Sequence, residues 1–199
     1  MPSGGYVFNE QGQRLFFNEA ERRAFIEAVE YEATDKGRTF CSLLHYTGCK
    51  LTEALTLTPR HIDCANSAIV LTPRLRDVPR TIPVPESLIE LLDKTHRIRR
   101  AQHGIQADEP IWPYHVNTMT KPVLRVIAEA GIAGGPHATP KGIRYGYLVQ
   151  AIRERILLTR IHAWLGHVNL PYTAKLADDL AHHAPELLGD DHAEAERMW

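Results

Sequence analysis

Apolar positions recur at helical spacing along most of the chain. After Asn18-Glu19-Ala20-Glu21, an N-cap with an acid three residues on, Ala24, Phe25, Ala28 and Val29 predict a helix over about 19–33. Phe40 to Tyr46 predicts a second, ended at Thr47-Gly48, where glycine supplies a left-handed cap. Leu51 to Leu55 predicts a short third, closed by Thr58-Pro59. Ala68-Ile69-Val70-Leu71 and Arg80-Thr81-Ile82-Pro83-Val84 are short β-rich runs on either side of a polar, arginine-rich stretch, and predict two strands. Pro85-Glu86-Ser87 then opens a helix with Leu88, Ile89, Leu91 and Leu92 inside, and residues 101–113 read as loop. Further helices are expected around Val123 to Ile127, from Thr139-Pro140 to Ile152, over Leu157 to Leu165, and weakly near Tyr172 to Ala184. The pattern predicts a mainly α fold with a small antiparallel β-sheet, an α+β domain over 18–180, with an N-terminal extension (1–17) and an acidic tail (181–199).

Composition adds little to that outline. A chain of 199 residues, 44% hydrophobic, has enough apolar surface for one substantial core. No apolar run approaches the roughly 20 residues needed to span a bilayer, and Met1-Pro2-Ser3-Gly4-Gly5 does not resemble a leader, so a cytoplasmic protein with no membrane partner is expected. Cys41, Cys49 and Cys64 are odd in number and lack CxxC spacing, which predicts free thiols, Cys41 in the core. The net charge of −1 conceals an asymmetry: from Asp178 onward seven acids face Arg197 alone, so the last 22 residues carry −6 and the preceding 177 carry +5. A basic body with an acidic tail is compatible with nucleic acid, and equally with a solvated acidic surface.

Four segments in order resemble the catalytic domain of the tyrosine recombinase, or phage integrase, family. Tyr46-Thr47-Gly48-Cys49-Lys50-Leu51-Thr52-Glu53-Ala54-Leu55 is similar to its T-G-x-R-x-[ST]-E-[AL]-L box, and Arg80-Thr81-Ile82-Pro83-Val84-Pro85 to its R-x-[VI]-P-[LV] strand. His137-Ala138-Thr139-Pro140-Lys141-Gly142-Ile143-Arg144-Tyr145-Gly146 resembles its H-x-L-R-H box, with lysine for the first histidine, and Trp164-Leu165-Gly166-His167 its [WL]-L-G-H box. Each box alone is weak; their order, spacing and the intervening strand pair carry the resemblance.

The resemblance implies an enzyme class in which a tyrosine attacks a DNA phosphodiester, forming a 3′-phosphotyrosine and releasing a 5′-hydroxyl. Energy is kept in the covalent link, so no cofactor, metal or nucleotide is called for. Two arginines and a histidine stabilise charge on the non-bridging oxygens, and a lysine on the strand turn protonates the leaving oxygen. Carried over, Arg144 matches the second arginine, His167 the last histidine, Lys141 the first position of the third box, Lys50 the first arginine and Glu53 a supporting acid. The expected partner is duplex DNA, with a recombinase partner or a second copy of the chain completing the clamp, because fewer than about 20 residues precede the first helix, leaving no room for a separate helical domain.

Three positions depart from the family pattern. Lys50 keeps a charge but not the planar fork that meets two phosphate oxygens. The strand turn holds Arg74 and Arg76 and no lysine, and arginine is a poor proton donor. Nine residues after His167, where the family's tyrosine falls, stands Leu176; Tyr172 lies one turn earlier, on about the same helical face. Arg74, Arg76, Lys94, Arg97, Arg99 and Arg100 are candidate DNA-backbone contacts. The His162/His167 and His182-His183 pairs show no third ligand, so no metal site is expected. The expectation is a DNA-binding recombinase-like pseudoenzyme. The alternatives are an active strand transferase using Tyr172 or another subunit's tyrosine, and a protein–protein module that keeps only the fold.

Overall fold

The computed structural model describes residues 6–72, 79–167 and 169–188. Its helices are α1 (Glu19–Val29), α2 (Asp35–Thr47), α3 (Leu51–Ala54), α4 (Glu86–His96), α5 (Ile98–Ala101), α6 (Val116–Glu129), α7 (Pro140–Arg153), α8 (Leu158–Leu165) and α9 (Leu170–His183). Strands β1 (Ile62–Asp63), β2 (Ala68–Leu71) and β3 (Arg80–Pro83) form an antiparallel sheet in that order, with Ile62 opposite Ile69 and Ile69 opposite Ile82. The fold is the expected α+β one, mainly helical with a small sheet.

Local chemistry accounts for most element ends. Asn18 and Glu21 close a reciprocal capping box on α1. Thr139 caps α7 with Pro140 at its first position, and Asn169 caps α9 by accepting from the Tyr172 N–H. The first helix is shorter than predicted: Glu30, Tyr31 and Glu32 bond three residues back, and the Glu32 carboxylate then accepts from the Thr34 N–H and hydroxyl. Strand β1, two residues long, leaves no periodic signal. The basic run after α4 is broken at Arg97, in the left-handed conformation at φ 54°. The weakly signalled last helix is a full 14-residue one.

Two apolar clusters form the interior. The larger joins α1, α2, α4, α6 and the sheet through Phe25, Phe40, Leu43, Ile69, Ile82, Trp112 and Val123, with Cys41 buried among them. The smaller joins Val7, Phe8 and Phe16 to Leu148, Ile161, Leu165, Leu176 and Leu180 of α7, α8 and α9. Helix α7 serves both, giving Ile143 to one and Leu148 to the other, and is buried on most of its circumference. Gly142 permits the packing: a Cβ there would stand 1.8 Å from the His137 carbonyl oxygen. Among the described residues, no helix is long and apolar enough to cross a membrane.

Candidate functional site

The seam between the clusters brings the family-matched positions together. Lys50, Lys141, Arg144, Tyr145, Gly166, His167, Asn169 and Tyr172 line one cavity of about 470 Å³. Lys50 stands at the start of α3 and Lys141 in the first turn of α7, both exposed, and the Lys141 ammonium lies 5.0 Å from the centre of the Tyr145 ring. Two cations, one at the start of a four-residue helix and one in the first turn of a 14-residue helix, thus face a wall that ends in a histidine.

Arg144 is buried by structural work. Its Nη1 donates to the Gly48 carbonyl at 2.7 Å and its Nη2 to the Leu165 carbonyl at 2.8 Å, tying the end of α2 to the end of α8. Burial lowers its pKa, opposed first by the nearby Glu53 charge. Each carbonyl it holds is a terminal acceptor with no further helical donor, so a guanidinium there both satisfies it and meets the negative end of the helix.

A second arginine repeats the design. Arg80 Nε donates to the Trp164 carbonyl at 2.8 Å, and its Nη2 lies 2.8 Å from Glu53 Oε2, in a pair whose side chains are 6% and 11% exposed. The same Glu53 oxygen accepts from the Lys50 N–H at 2.7 Å. Glu53 thus contacts Arg80 and the Lys50 backbone. Gly166, at φ 61°, lets the Arg80 guanidinium lie flat against its backbone: a Cβ would meet Nη1 at 2.7 Å. In sequence Arg80 is only the first residue of a β-rich run. Its signal was strand alternation, which puts Arg80 on the same inward face as Ile82 and so requires a buried partner.

His167 is half-buried, and its Nδ1 lies 2.9 Å from the Thr173 hydroxyl. Burial, reinforced by the charges of Arg144, His162, Lys50 and Arg80, pushes its pKa down to about 3. At neutral pH the imidazole is uncharged, able to donate one hydrogen bond and accept another. Thr173, fully buried, was not among the predicted residues.

The position matched to the family's nucleophile faces elsewhere. Leu176 is fully buried in the smaller cluster. Tyr172 lines the cavity instead, its ring edge-on to His167 at 5.1 Å between centres. Its pKa is raised, first by burial and then by the Tyr145 charge and hydrogen bond, against the lowering pull of Lys141 and Arg144. Tyr172 is thus a protonated phenol in this state.

The surface candidates stand apart. Lys94, Arg97, Arg99 and Arg100 are exposed around the α4–α5 junction, none lines the cavity, and Arg99 is paired with Asp93 at 2.6 Å. Arg74 and Arg76 lie outside the described residues, as does the tail from residue 189. Among the described residues, no group of three or more His, Cys, Asp or Glu is placed to hold a metal.

The fold and its seam define a mainly helical α+β domain with an open, cation-lined cavity. No family model matches the chain. It is 24% identical over 189 residues to tyrosine recombinase XerA of Pyrococcus furiosus, covering 89% of this chain and 66% of that protein. Its fold matches XerH site-specific recombinase bound to difH substrate in a pre-cleavage complex, with a TM-score of 0.70 at 20% identity over 85% of this chain and 51% of that one. It also matches the catalytic domain of bacteriophage HP1 integrase, with a TM-score of 0.61 at 18% identity over 86% and 89% of the two chains. The chain is similar in sequence to tyrosine recombinases and has the fold of their catalytic domain. It spans about two thirds of XerA and half of XerH.

Proposed function

We propose that this domain binds duplex DNA by seating a backbone phosphate in the cavity of Lys50, Lys141, Arg144 and His167, and serves DNA recombination or integration as a strand-cleavage-impaired partner. The observation that carries this reading is the convergence of those four side chains, distant in sequence, on one cavity. Two lysines supply charge and the neutral imidazole supplies a directed donor. Two backbone carbonyls hold Arg144 in the wall it helps to line. Impairment follows from the burial of Leu176, from Lys50 in place of a forked guanidinium, and from a turn without lysine. Exposed Lys94, Arg97 and Arg100, with Arg74 and Arg76, extend the phosphate contacts. A second copy of the chain or a recombinase partner completes the grip.

Gel shifts on duplex DNA across a salt series test the binding. Affinity should fall steeply as salt rises; affinity indifferent to salt means the fold is used as a protein–protein module.

One observation favours a second reading, strand cleavage through Tyr172: it is the tyrosine of α9, and its ring reaches the cavity. In that case the phenol oxygen bonds to phosphorus, the 5′-oxygen leaves and takes a proton, and the phenol proton passes to a base. Its raised pKa weighs against this chemistry. Trapping on a nicked suicide duplex decides: an adduct removed by Tyr172→Phe establishes cleavage, and no adduct in a preparation that binds DNA supports the impaired reading.

A further inference from the structure

Helix α9 supplies more of the cavity than any single matched position. Asn169 and Tyr172 line the cavity, and Thr173 holds His167 Nδ1. Whatever fixes the register and tilt of α9 therefore fixes the histidine wall. Its far end is held by hydrogen bonds to another segment: the backbone N–H of Val7 donates to Asp179 Oδ2 at 2.7 Å and that of Phe8 at 3.2 Å.

The segment making those contacts is a small ordered hairpin. Phe8 bridges to Arg14, Asn9 and Gln13 close the turn, and Val7, Phe8 and Phe16 bury their side chains against Leu176 and Leu180. The Phe8 ring stacks on His183 at 4.8 Å, and the Tyr6 ring meets Tyr172 edge-on at 5.6 Å. Asp179 is the polar centre of this packing: its side chain is 10% exposed and its other oxygen lies 3.2 Å from His183 Nδ1. A carboxylate accepting from two successive amide groups is a directional clamp, stronger than a neutral hydrogen bond.

We propose that residues 6–17 are a strap on α9, with Asp179 as the positioning residue that sets Tyr172, Thr173 and, through Thr173, His167 in the cavity. The strap reaches both ends of the helix: Tyr6 at the first turn and Asp179 near the last. It meets α9 at Asp179 and Tyr172, and α7 where the Phe17 N–H donates to the Gly142 carbonyl at 3.1 Å; loss of the Asp179 clamp therefore loosens the histidine wall first, while Arg144 keeps its bond to the Gly48 carbonyl. Its functional consequence rests on the proposed phosphate cavity; its structural content does not.

The test compares Asp179→Ala, Asp179→Asn and Tyr6→Ala with the unaltered chain by amide hydrogen exchange, by the ring signals of His167 and Tyr172, and by titration with inorganic phosphate and a short duplex. Asp179→Ala should speed exchange over Thr173 to Leu180 by about tenfold or more, with α2 and α6 unchanged, and weaken phosphate and duplex binding by a similar factor. Asp179→Asn keeps an oxygen for both amides and should restore most of the loss. If Asp179→Ala does not fold, Tyr6→Ala carries the test: removal of one half-buried ring should disturb the Tyr172 and His167 signals and spare the larger cluster. Equal acceleration in α2, no gain from asparagine, or unaltered ring signals in Tyr6→Ala overturn the strap. If the unaltered chain binds neither phosphate nor DNA, the cavity reading fails, and the exchange data still decide the strap.

Discussion

The two walls of the cavity have had different fates. On the α3–α7 wall the family-matched Lys50, Lys141 and Arg144 all line the cavity, and the buried one, Arg144, is bonded to the carbonyls of Gly48 and Leu165. On the α9 wall the matched position, Leu176, is sealed in the core and its neighbour one turn earlier faces the opening. The difference follows from what each residue does for the fold. Arg144 joins the two clusters, so replacing it breaks the structure with the site. The nucleophile position asks only for a side chain that α9 can bury, and leucine is a better core residue than tyrosine.

The largest expected effect tests the joint. Arg144→Ala leaves two buried helix-end carbonyls without donors and should cost about 3–5 kcal/mol, read from the midpoint of urea unfolding. Lysine cannot reach both carbonyls and should recover only part of that. A loss below about 1 kcal/mol would make Arg144 an ordinary binding residue and dissolve the contrast between the walls.

A comparison by pH reaches the larger cluster and the histidine wall together. His45, stacked on Phe25, and His167 are both pushed from 6.5 down to about 3, chiefly by burial. Each binds a proton more readily unfolded than folded. Their contribution is therefore complete above pH 6.5 and is lost as pH falls toward 3. For His45 the slope is at most about 1.4 kcal/mol per pH unit, so about 2 kcal/mol goes by pH 5; His167, closer to solvent, contributes less. His45→Phe should flatten the acid limb of stability against pH more than His167→Gln. The reverse ranking would place the stronger burial on the α9 wall.

Much of this was legible in the residues, and the failures have physical causes. Helix-period patterns and caps gave α1, α2, α7 and α8 because those elements carry their own termini: Asn18 with Glu21, Gly48, Thr139 with Pro140, Gly166. Lys50, Lys141, Arg144 and His167 were placed by the resemblance of their segments to the family's boxes. Arg80 and Thr173 escaped because their roles exist only across the seam, 84 residues in sequence from Arg80 to Trp164 and through a single hydroxyl at Thr173. The facing of Tyr172 against Leu176 was open for the same reason. Residues one turn apart share a helical face in sequence, and only the packing of the Val7–Phe16 segment shows which of the two that face buries.

Leu176→Tyr sharpens the contrast at the α9 wall. A phenol forced among Val7, Phe8, Phe16 and Leu148 is overpacked and carries a hydroxyl needing a partner, so about 1–3 kcal/mol should be lost. No covalent adduct should form on a suicide duplex. An adduct would show that α9 turns to present position 176 when DNA binds, and that the buried leucine is the one change separating this wall from the family pattern.

The smallest effects separate free from occupied cations on the exposed surface, where neither wall is involved. Arg99 is committed to Asp93 at 2.6 Å and also holds the turn through its own N–H at 2.8 Å. Arg100, next to it, is exposed and makes no ion pair among the described residues. If the α4–α5 junction lies on the DNA, Arg100→Ala should lower the slope of log affinity against log salt by about 1, with stability unchanged within about 0.5 kcal/mol. Arg99→Ala should change the slope less, because the phosphate competes with Asp93 for the same guanidinium, and should cost a little stability by releasing that carboxylate. Lys50→Ala, inside the cavity, is the reference: its slope should change like that of Arg100→Ala, and its His167 should titrate higher, since one of the charges holding the imidazole neutral is gone. Equal slopes for the unaltered chain and Arg100→Ala would confine DNA contact to the cavity and its rim, leaving the basic run after α4 as a solvated helix end.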